Sequence, residues 1–541
     1  MDTKRVIIAV VLCVAVMYGW NLLFPPPERA PAPVEETETQ ESAPAPTPDH
    51  AEEYVEFLGD VAAADTAQGR EIEVDTPLYH AVFNSQGGYL THFQLKDYTK
   101  SVETDSLFDM VDESSVVAAP MGVLVNDEAT WAEYSWDQGE LGESSQGTTL
   151  TFTGTKDGMT LVRTLTFSQD TYLITEELDL TDRSGPIEGD VAFVLASRTL
   201  SAKEVMVDGE VTEEQSRYDM TRVAVFSDSA GLEDDSDKGD LEDEPLEVPG
   251  EVYWGGVQSN YFLMAVIPDQ NARFVGYSAN DLFITRTEVL LNQDSGEPSA
   301  TCTYYLGPKE EDTLAQGPEI LSAARDFGWF DFIAKPMMWG INFFNDYVKN
   351  YGLAIIIMTV LIKIVLWPLS QKSYKSMNKM KQIQPLITKL REKYKDDRQK
   401  MNEELMGLYK TYKVNPAGGC IPMILQIPVF IGLYQALLNA IELRHAVFIP
   451  HVPFTDIIWL ADLSARDPFY VTPIIMGATM FIQQRLSPSM GDPTQAKIMM
   501  IMPIVFTFIF LNFPAGLVIY WLTNNVLSIV QQKMLLRSKK D

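Results

Sequence analysis

Cysteine is almost absent: Cys13, Cys302 and Cys420 are the three in 541 residues. So few, so far apart, exclude a disulfide framework and a zinc ligand set. Histidine is as sparse, and His50, His80, His92, His445 and His451 show no HExxH-type spacing, which removes the usual helical metal site. No GxxxxGK string offers a phosphate cradle. Basic residues are outnumbered, 41 Lys and Arg against 75 Asp and Glu, for a net charge of −34. Most of that excess falls before residue 330, and an acidic surface excludes nucleic acid as the main partner of that half. No cofactor, metal or direct DNA binding is expected.

What is present is apolar sequence in blocks. Val6 to Phe24 is a run of nineteen mostly apolar residues behind Lys4 and Arg5. Pro25-Pro26-Pro27 follows where a signal peptide would need small residues, so the run reads as an uncleaved anchor with its N-terminus inside. Further apolar windows lie at about 353–369, 421–441, 469–486, 498–513 and 515–531, making six spans with the anchor. The connector 372–413 carries twelve Lys or Arg against five Asp or Glu, and Lys533, Arg537, Lys539 and Lys540 follow the last window. By the positive-inside rule both belong in the cytoplasm, which agrees with an even number of spans and an inside start. The stretch from 25 to about 345 is then extracytoplasmic. Asn512-Phe513-Pro514 separates the last two windows; one continuous helix there would be about 50 Å long, too long for one crossing, so a tight hairpin is expected.

Residues 25–53 are rich in Pro, Ala and Glu and read as an extended tether. Beyond residue 70, alternating runs predict an antiparallel β-sandwich. Thr149–Thr155 and Met159–Phe167 flank Lys156-Asp157-Gly158, a hairpin signal, and similar runs occur at Tyr172–Leu180, Val191–Leu195, Tyr261–Ile267 and Leu282–Leu291. Glu233–Glu244, with eight carboxylates and Lys238, reads as a solvated loop without fixed ligand spacing. No His and Glu pair stands out as a catalytic acid and base, so the domain is assigned a scaffolding or docking role and the protein is not read as an enzyme. Phe327–Phe344 is dense in aromatics; Asp331, Lys335, Asn342 and Asp346 share one side of the helical wheel, as in a helix lying in the outer membrane interface. The chain thus divides into an anchor at 1–24, the tether at 25–53, a β-sandwich domain at 54–326, an interfacial helix at 327–346 and a helical core at 347–541. The fold class is a multidomain membrane protein: an all-α core of six spans, an antiparallel β-sandwich outside, and a helical hairpin at 372–415 inside.

Lys363 is the most informative residue. A lysine near the centre of a span costs about 2.5–3.5 kcal/mol on insertion scales, and no carboxylate lies in another span to pair with it. It either snorkels to the cytoplasmic interface, about 10 Å away at 1.5 Å per residue, or faces a wet cavity. Thr359, Gln426, Gln435, Gln483, Gln484, Trp521, Asn524 and Asn525 are candidates to line that cavity, and each polar one has a second reading as an interhelical hydrogen bond. A groove with one positive charge would attract the acidic tail of a passing polypeptide while its lipid-open side accepts the apolar segment that follows. In the hairpin, Met401, Leu405, Leu408 and Tyr412 form one stripe and Met377, Met380, Ile383, Ile387, Leu390 and Tyr394 the other, with a turn at Asp396-Asp397. Its charges, Lys381 among them, face either lipid headgroups or ribosomal RNA and a waiting substrate. A transporter would share the wet bundle, but no internal repeat is seen.

These residues also carry a resemblance. Trp367-Pro-Leu, Tyr374-Lys-Ser-Met377, Val414-Asn-Pro-Ala-Gly-Gly-Cys-Ile-Pro422, Glu442-Leu-Arg444, Ser487-Pro488, Asp492-Pro493 and Phe513-Pro-Ala-Gly-Leu517 closely resemble the YidC family of insertases, relatives of the Oxa and Alb proteins. The likeness extends more loosely over the β-domain, at Gly87-Gly88 and Trp254 to Pro268. It implies a bacterial inner-membrane protein with a five-helix core, a hydrophilic groove open to cytoplasm and lipid, a cytoplasmic hairpin needed for activity and a galactose-mutarotase-like periplasmic sandwich. The implied work is the fuel-free insertion and chaperoning of nascent membrane proteins, with the Sec translocon, ribosomes, targeting factors and the lipid bilayer as partners. Where the family usually carries arginine in the groove, this sequence has Lys363.

Overall fold

The computed structural model describes Ala64 and residues 69–102, 104–145, 147–182, 189–200, 202–207, 210–215, 220–291, 299–395, 397–412, 421–453, 458–486 and 493–537, at some helical positions and in 202–215 as backbone alone. The anchor, the tether, Asp396, Val414–Cys420 and Ser487–Asp492 lie outside the described residues.

Among the described residues the first half is built on antiparallel sheets. The large sheet has ten strands. It runs from Gly231–Asp235 through Arg222–Ser227, Val252–Gln258, Phe262–Pro268, Ser299–Pro308, Leu173–Asp182 and Met159–Phe167 to Gly147–Lys156, which Ser135–Trp136 and Glu140–Ser144 flank. A six-stranded sheet packs on it, ordered Leu246–Val248, Ala272–Ala279, Leu282–Leu290, Asp190–Ser197, Val123–Val125 and Glu128–Ala129. One continuous apolar cluster lies between, with Trp254, Phe193 and Tyr304 buried in it. A four-stranded sheet, Glu71–Asp75, Tyr79–Asn84, Leu90–Thr99 and Leu107–Asp109, covers the large one through ring contacts: Phe83 meets Phe167 at 5.5 Å and Phe108 stacks on Phe262 at 4.1 Å. The sandwich is therefore as the alternation predicts.

The hairpin signal resolves in detail. Lys156 pairs with Met159 and so belongs to the strand rather than the turn. Asp157 and Gly158 alone form the loop, with φ of 51° and 94°, the two positive values that a two-residue type I′ turn requires. The acidic stretch Glu233–Glu244 is not a loop. Its start is the edge strand Gly231–Asp235, and Lys238–Asp243 is a helical turn whose first amides are capped by Asp237. Asp234 pairs with Arg222 at 3.0 Å and Lys238 with Asp281 at 2.7 Å: the strand ladder and these cations order a segment whose composition alone reads as solvated.

His92 adds a pH dependence. Its Nδ1 lies 2.8 Å from Asp109 Oδ2, and that hydrogen bond, outweighing desolvation, holds the imidazole above its ordinary range. A folded-state value raised in this way contributes stability that is complete below pH about 6.5 and fades as pH rises through the folded value. His92→Gln is therefore expected to lower the thermal midpoint of the purified chain at about pH 5.5 and to leave it unchanged near pH 8.5; an equal drop at both values would assign the loss to packing.

The second half is helical: α1 (Asp331–Val348), α2 (Tyr351–Val365), α3 (Trp367–Lys393), α4 (Arg398–Thr411), α5 (Ile421–Asn439), α6 (Val471–Leu486), α7 (Pro493–Phe510) and α8 (Ala515–Arg537). Among the described residues no helix is long and apolar enough to cross a membrane. Helices α2 and α6 have fifteen and sixteen residues, and the first side chains of α5 and α7 lie outside the described residues. The window at 353–369 is split. Helix α2 stops at Val365, and Trp367-Pro368-Leu369 open α3, where proline suits the first turn because its missing N–H would have no partner there. The last two windows are separate helices, with the amides of Ala515 and Gly516 donating to the carbonyls of Ala465 and Leu463 at 2.7 and 2.9 Å.

Helix α1 keeps its aromatic ridge outward: Phe332, Trp339, Phe343 and Tyr347 are exposed while Ala334, Met337, Met338 and Ile341 pack inward. Lys335 and Asp331 pair at 2.9 Å. Asn342 does not join that solvent-facing group; its amide donates to Glu442 Oε1 at 3.4 Å. Glu442 also takes Arg325 at 2.8 Å, and Arg444 donates to the carbonyl of Thr99 at 2.7 Å while lying over Phe108 and Phe262. The string Glu442-Leu-Arg444 thereby fastens the loop after α5 to the β-rich half.

Candidate functional site

Lys363 occupies the last turn of α2, a helix started by Asn350, whose side chain accepts from the Leu353 amide at 3.0 Å. Its side chain is 8% exposed. The ammonium donates to Ser528 Oγ on α8 at 2.8 Å, and among the described residues no carboxylate pairs with it. Ser528 Oγ in turn donates to the Asn524 carbonyl at 2.7 Å. One turn before the lysine, Thr359 is buried and donates to the Ile355 carbonyl at 2.6 Å. Ser370 and Ser373, farther along in α3, are buried as well.

The side of α8 that carries Ser528 is polar over about two turns. Asn525, Ser528, Gln531 and Gln532 are all buried. Asn525 Nδ2, Gln531 Nε2 and Gln532 Oε1 find no hydrogen-bond partner among the described residues. A buried amide without a partner costs about 1–3 kcal/mol; several lie along one helix face, beside an ammonium that no carboxylate neutralises among the described residues.

The other predicted lining residues are dispersed. Gln426 and Gln483 are half-buried on α5 and α6. Gln435 is engaged within its own helix, its side-chain Oε1 accepting from Asn439 Nδ2 at 3.4 Å while its backbone carbonyl accepts from the same amide at 2.9 Å. Trp521 stands in an aromatic cluster, with Phe430, Phe510 and Phe506 at 4.7, 5.1 and 6.0 Å. Asn524 is half-buried, and its carbonyl rather than its amide enters the lysine's chain of hydrogen bonds. The structure therefore brings Lys363, Thr359 and the Asn524 backbone to one strip and leaves Gln435 and Trp521 in other roles.

In the basic connector, α3 and α4 pack through Met380, Ile383, Ile387 and Leu405, with Leu390, Met401, Leu408 and Tyr409 against them. Tyr412 departs from its predicted stripe: α4 ends at Thr411, Tyr412 is exposed, and Tyr409 packs in its place. The side chains of Met377 and Lys381 lie outside the described residues.

The family described as 60Kd inner membrane protein matches residues 343–541, and that described as YidC periplasmic domain matches residues 71–340. A protein named membrane protein insertase YidC, from Oleidesulfovibrio alaskensis, is 50% identical over 99% of this chain and 100% of its own length. The chain belongs to the YidC family. A second relative with that name, from Nitratidesulfovibrio vulgaris, is also 50% identical, over 99% of this chain and the whole of its own. Among solved structures, one described as an active YidC insertase with its first transmembrane domain resolved covers 88% of this chain and 95% of that one, at 19% identity and a TM-score of 0.36. In this YidC-family chain the sandwich of the fold falls within the stretch matched as the periplasmic domain, and Lys363 within the stretch matched as the inner membrane protein.

Sequence reading reaches Asn525 and misses Ser528, Gln531 and Gln532, which share its face of α8. A serine in an apolar helix carries no signal of its own, and its partner lies 165 positions away. The spacing 525, 528, 532 was the available cue, since residues three and four apart share a helix face.

Proposed function

We propose that the chain is a membrane protein insertase that moves the apolar segments of nascent membrane proteins into the bacterial inner membrane along a hydrophilic groove centred on Lys363. The observation that carries this reading is the buried, unneutralised Lys363 held against the polar face of α8. In water such a charge would be ordinary; at the centre of a span it would cost about 2.5–3.5 kcal/mol, and although Lys363 stands in the last turn of α2 rather than at a span's centre, its burial still favours a site that offers water or a guest. The acidic or polar tail of a passing polypeptide is that guest. The charge lowers the barrier for the tail, and burial of the apolar segment that follows, about 0.8 kcal/mol per CH₂ group, drives the net process without fuel.

The same reading sets the topology: six spans, both termini cytoplasmic, the basic hairpin α3–α4 on the cytoplasmic side and the β-sandwich in the periplasm, where the aromatic ridge of α1 meets the outer headgroups. Cooperation with the Sec translocon, ribosomes and targeting factors belongs to the family resemblance. Proteoliposomes containing this chain alone are expected to insert a short single-span substrate with an acidic tail to a protease-protected state without ATP, GTP or a membrane potential. Empty liposomes that insert it equally well would sink the proposal.

A further inference from the structure

We infer that Ser528 is a positioning residue that fixes the Lys363 ammonium at groove depth and so sets the preference for acidic translocated tails; this rests on the groove reading above. Ser528 is 2% exposed. Its hydroxyl hydrogen is committed to the Asn524 carbonyl at 2.7 Å, which leaves the oxygen to act toward Lys363 solely as an acceptor, at 2.8 Å. An ammonium has three donors and no acceptor, so this pairing fits without rearrangement and leaves two protons for a guest. Thr359, one turn below the lysine, is committed in the same way to the Ile355 carbonyl at 2.6 Å.

The neutrality of the partner matters. A carboxylate at position 528 would hold the lysine as firmly but would cancel its charge; a hydroxyl holds it and leaves the charge intact. Without any acceptor on α8, a flexible four-carbon stem in the last turn of α2 swings toward the nearer water surface, as lysines near helix ends do. The charge would then remain in the protein but leave the groove. Ser528 thus converts a snorkelling cation into a fixed one, and the buried amides of Asn525 and Gln532 on the same face of α8 continue the polar strip on either side.

The test uses the full chain in depletion-complementation, with two single-span substrates that differ only in a tail carrying Asp or Asn. The readout is the ratio of their protease-protected insertion rates, at matched protein levels. Ser528→Ala is expected to slow the Asp-tailed substrate about fivefold, the worth of one hydrogen bond, and to leave the Asn-tailed one within about twofold. Ser528→Thr retains the hydroxyl and is expected to retain the ratio. Ser528→Ala added to Lys363→Ala is expected to change nothing further, because the serine acts through the lysine. The inference is overturned if Lys363→Ala impairs the Asp-tailed substrate but Ser528→Ala does not, if Ser528→Ala slows both tails alike, or if the two losses add. If Lys363→Ala itself leaves the ratio unchanged, the groove reading fails and this inference falls with it.

Discussion

Lys363→Glu is expected to stop insertion of a single-span substrate whose translocated tail is acidic, slowing it roughly 300-fold, with Lys363→Ala slower by about fifteenfold and Lys363→Arg near the parent. The magnitudes follow from Coulomb's law. At an effective dielectric of about 20 and a separation of about 10 Å, a unit charge on the tail and the ammonium attract by about 1.7 kcal/mol, and about 1.4 kcal/mol is a factor of ten. Alanine removes the attraction; glutamate replaces it with a repulsion of the same size, so the change doubles on the energy scale. Arginine keeps the charge and can still donate to Ser528, although its planar fork cannot occupy the ammonium's position atom for atom. Complementation of a depletion strain, scored by protease protection of the substrate, checks all three. Normal insertion by Lys363→Glu would remove electrostatics from the mechanism and leave hydration and bilayer thinning as the means.

The second large effect is expected in the β-sandwich, far from any membrane chemistry. Arg163 and Glu176 face each other across neighbouring strands, both completely buried, with Nε to Oε1 at 2.6 Å. The guanidinium also donates to the carbonyls of Gly87 and of Met121, the latter at 2.6 Å, and Tyr304 donates to Glu176 Oε2 at 2.8 Å. Burial works against the charge on Arg163, but Glu176 holds the guanidinium above its ordinary value. Removing one partner leaves an uncompensated buried ion, so Arg163→Ala or Glu176→Ala is expected to cost about 3–5 kcal/mol. Arg163→Met with Glu176→Leu removes both charges at similar volume and is expected to restore most of that loss. Thermal unfolding of the purified chain, followed by near-ultraviolet circular dichroism, measures each. If the double substitution is as damaging as the single ones, the carbonyls of Gly87 and Met121 depend on Arg163 more than Glu176 does. The same contacts explain Gly87-Gly88: both have positive φ, and a Cβ on Gly87 would lie 2.7 Å from the Trp131 backbone, so the glycines let the chain pass close enough for the arginine to cap it.

Much of this was legible in order. The hairpin at Asp157-Gly158, the alternation of the sandwich strands and the break at Asn512-Phe513-Pro514 are local signals, because turn chemistry and side-chain periodicity act over a few residues. In the connector Met380, Ile383, Ile387, Leu390, Met401, Leu405 and Leu408 pack as their spacing predicts, Tyr394 stands outside that cluster, and the end of α4 at Thr411 leaves Tyr409 rather than Tyr412 to pack. Glu233–Glu244 reads as a loop because composition reports solvation and not strand pairing, and Asn342 reads with the solvent-facing group because a helical wheel shows which residues share a side but not what that side meets.

By itself the sequence determined that a lysine without a carboxylate lies in an apolar helix, that a basic connector follows it and that a β-rich acidic half precedes it, since each is a property of residues counted along the chain. Which group holds that lysine was decided by tertiary structure alone. Ser528, Asn525, Gln531 and Gln532 become a polar strip only when α8 packs beside α2, and Gln435 and Trp521 leave it for the same reason. A buried hydrogen bond is satisfied by whatever packing brings within about 3 Å, and packing joins residues that no spacing in the sequence relates.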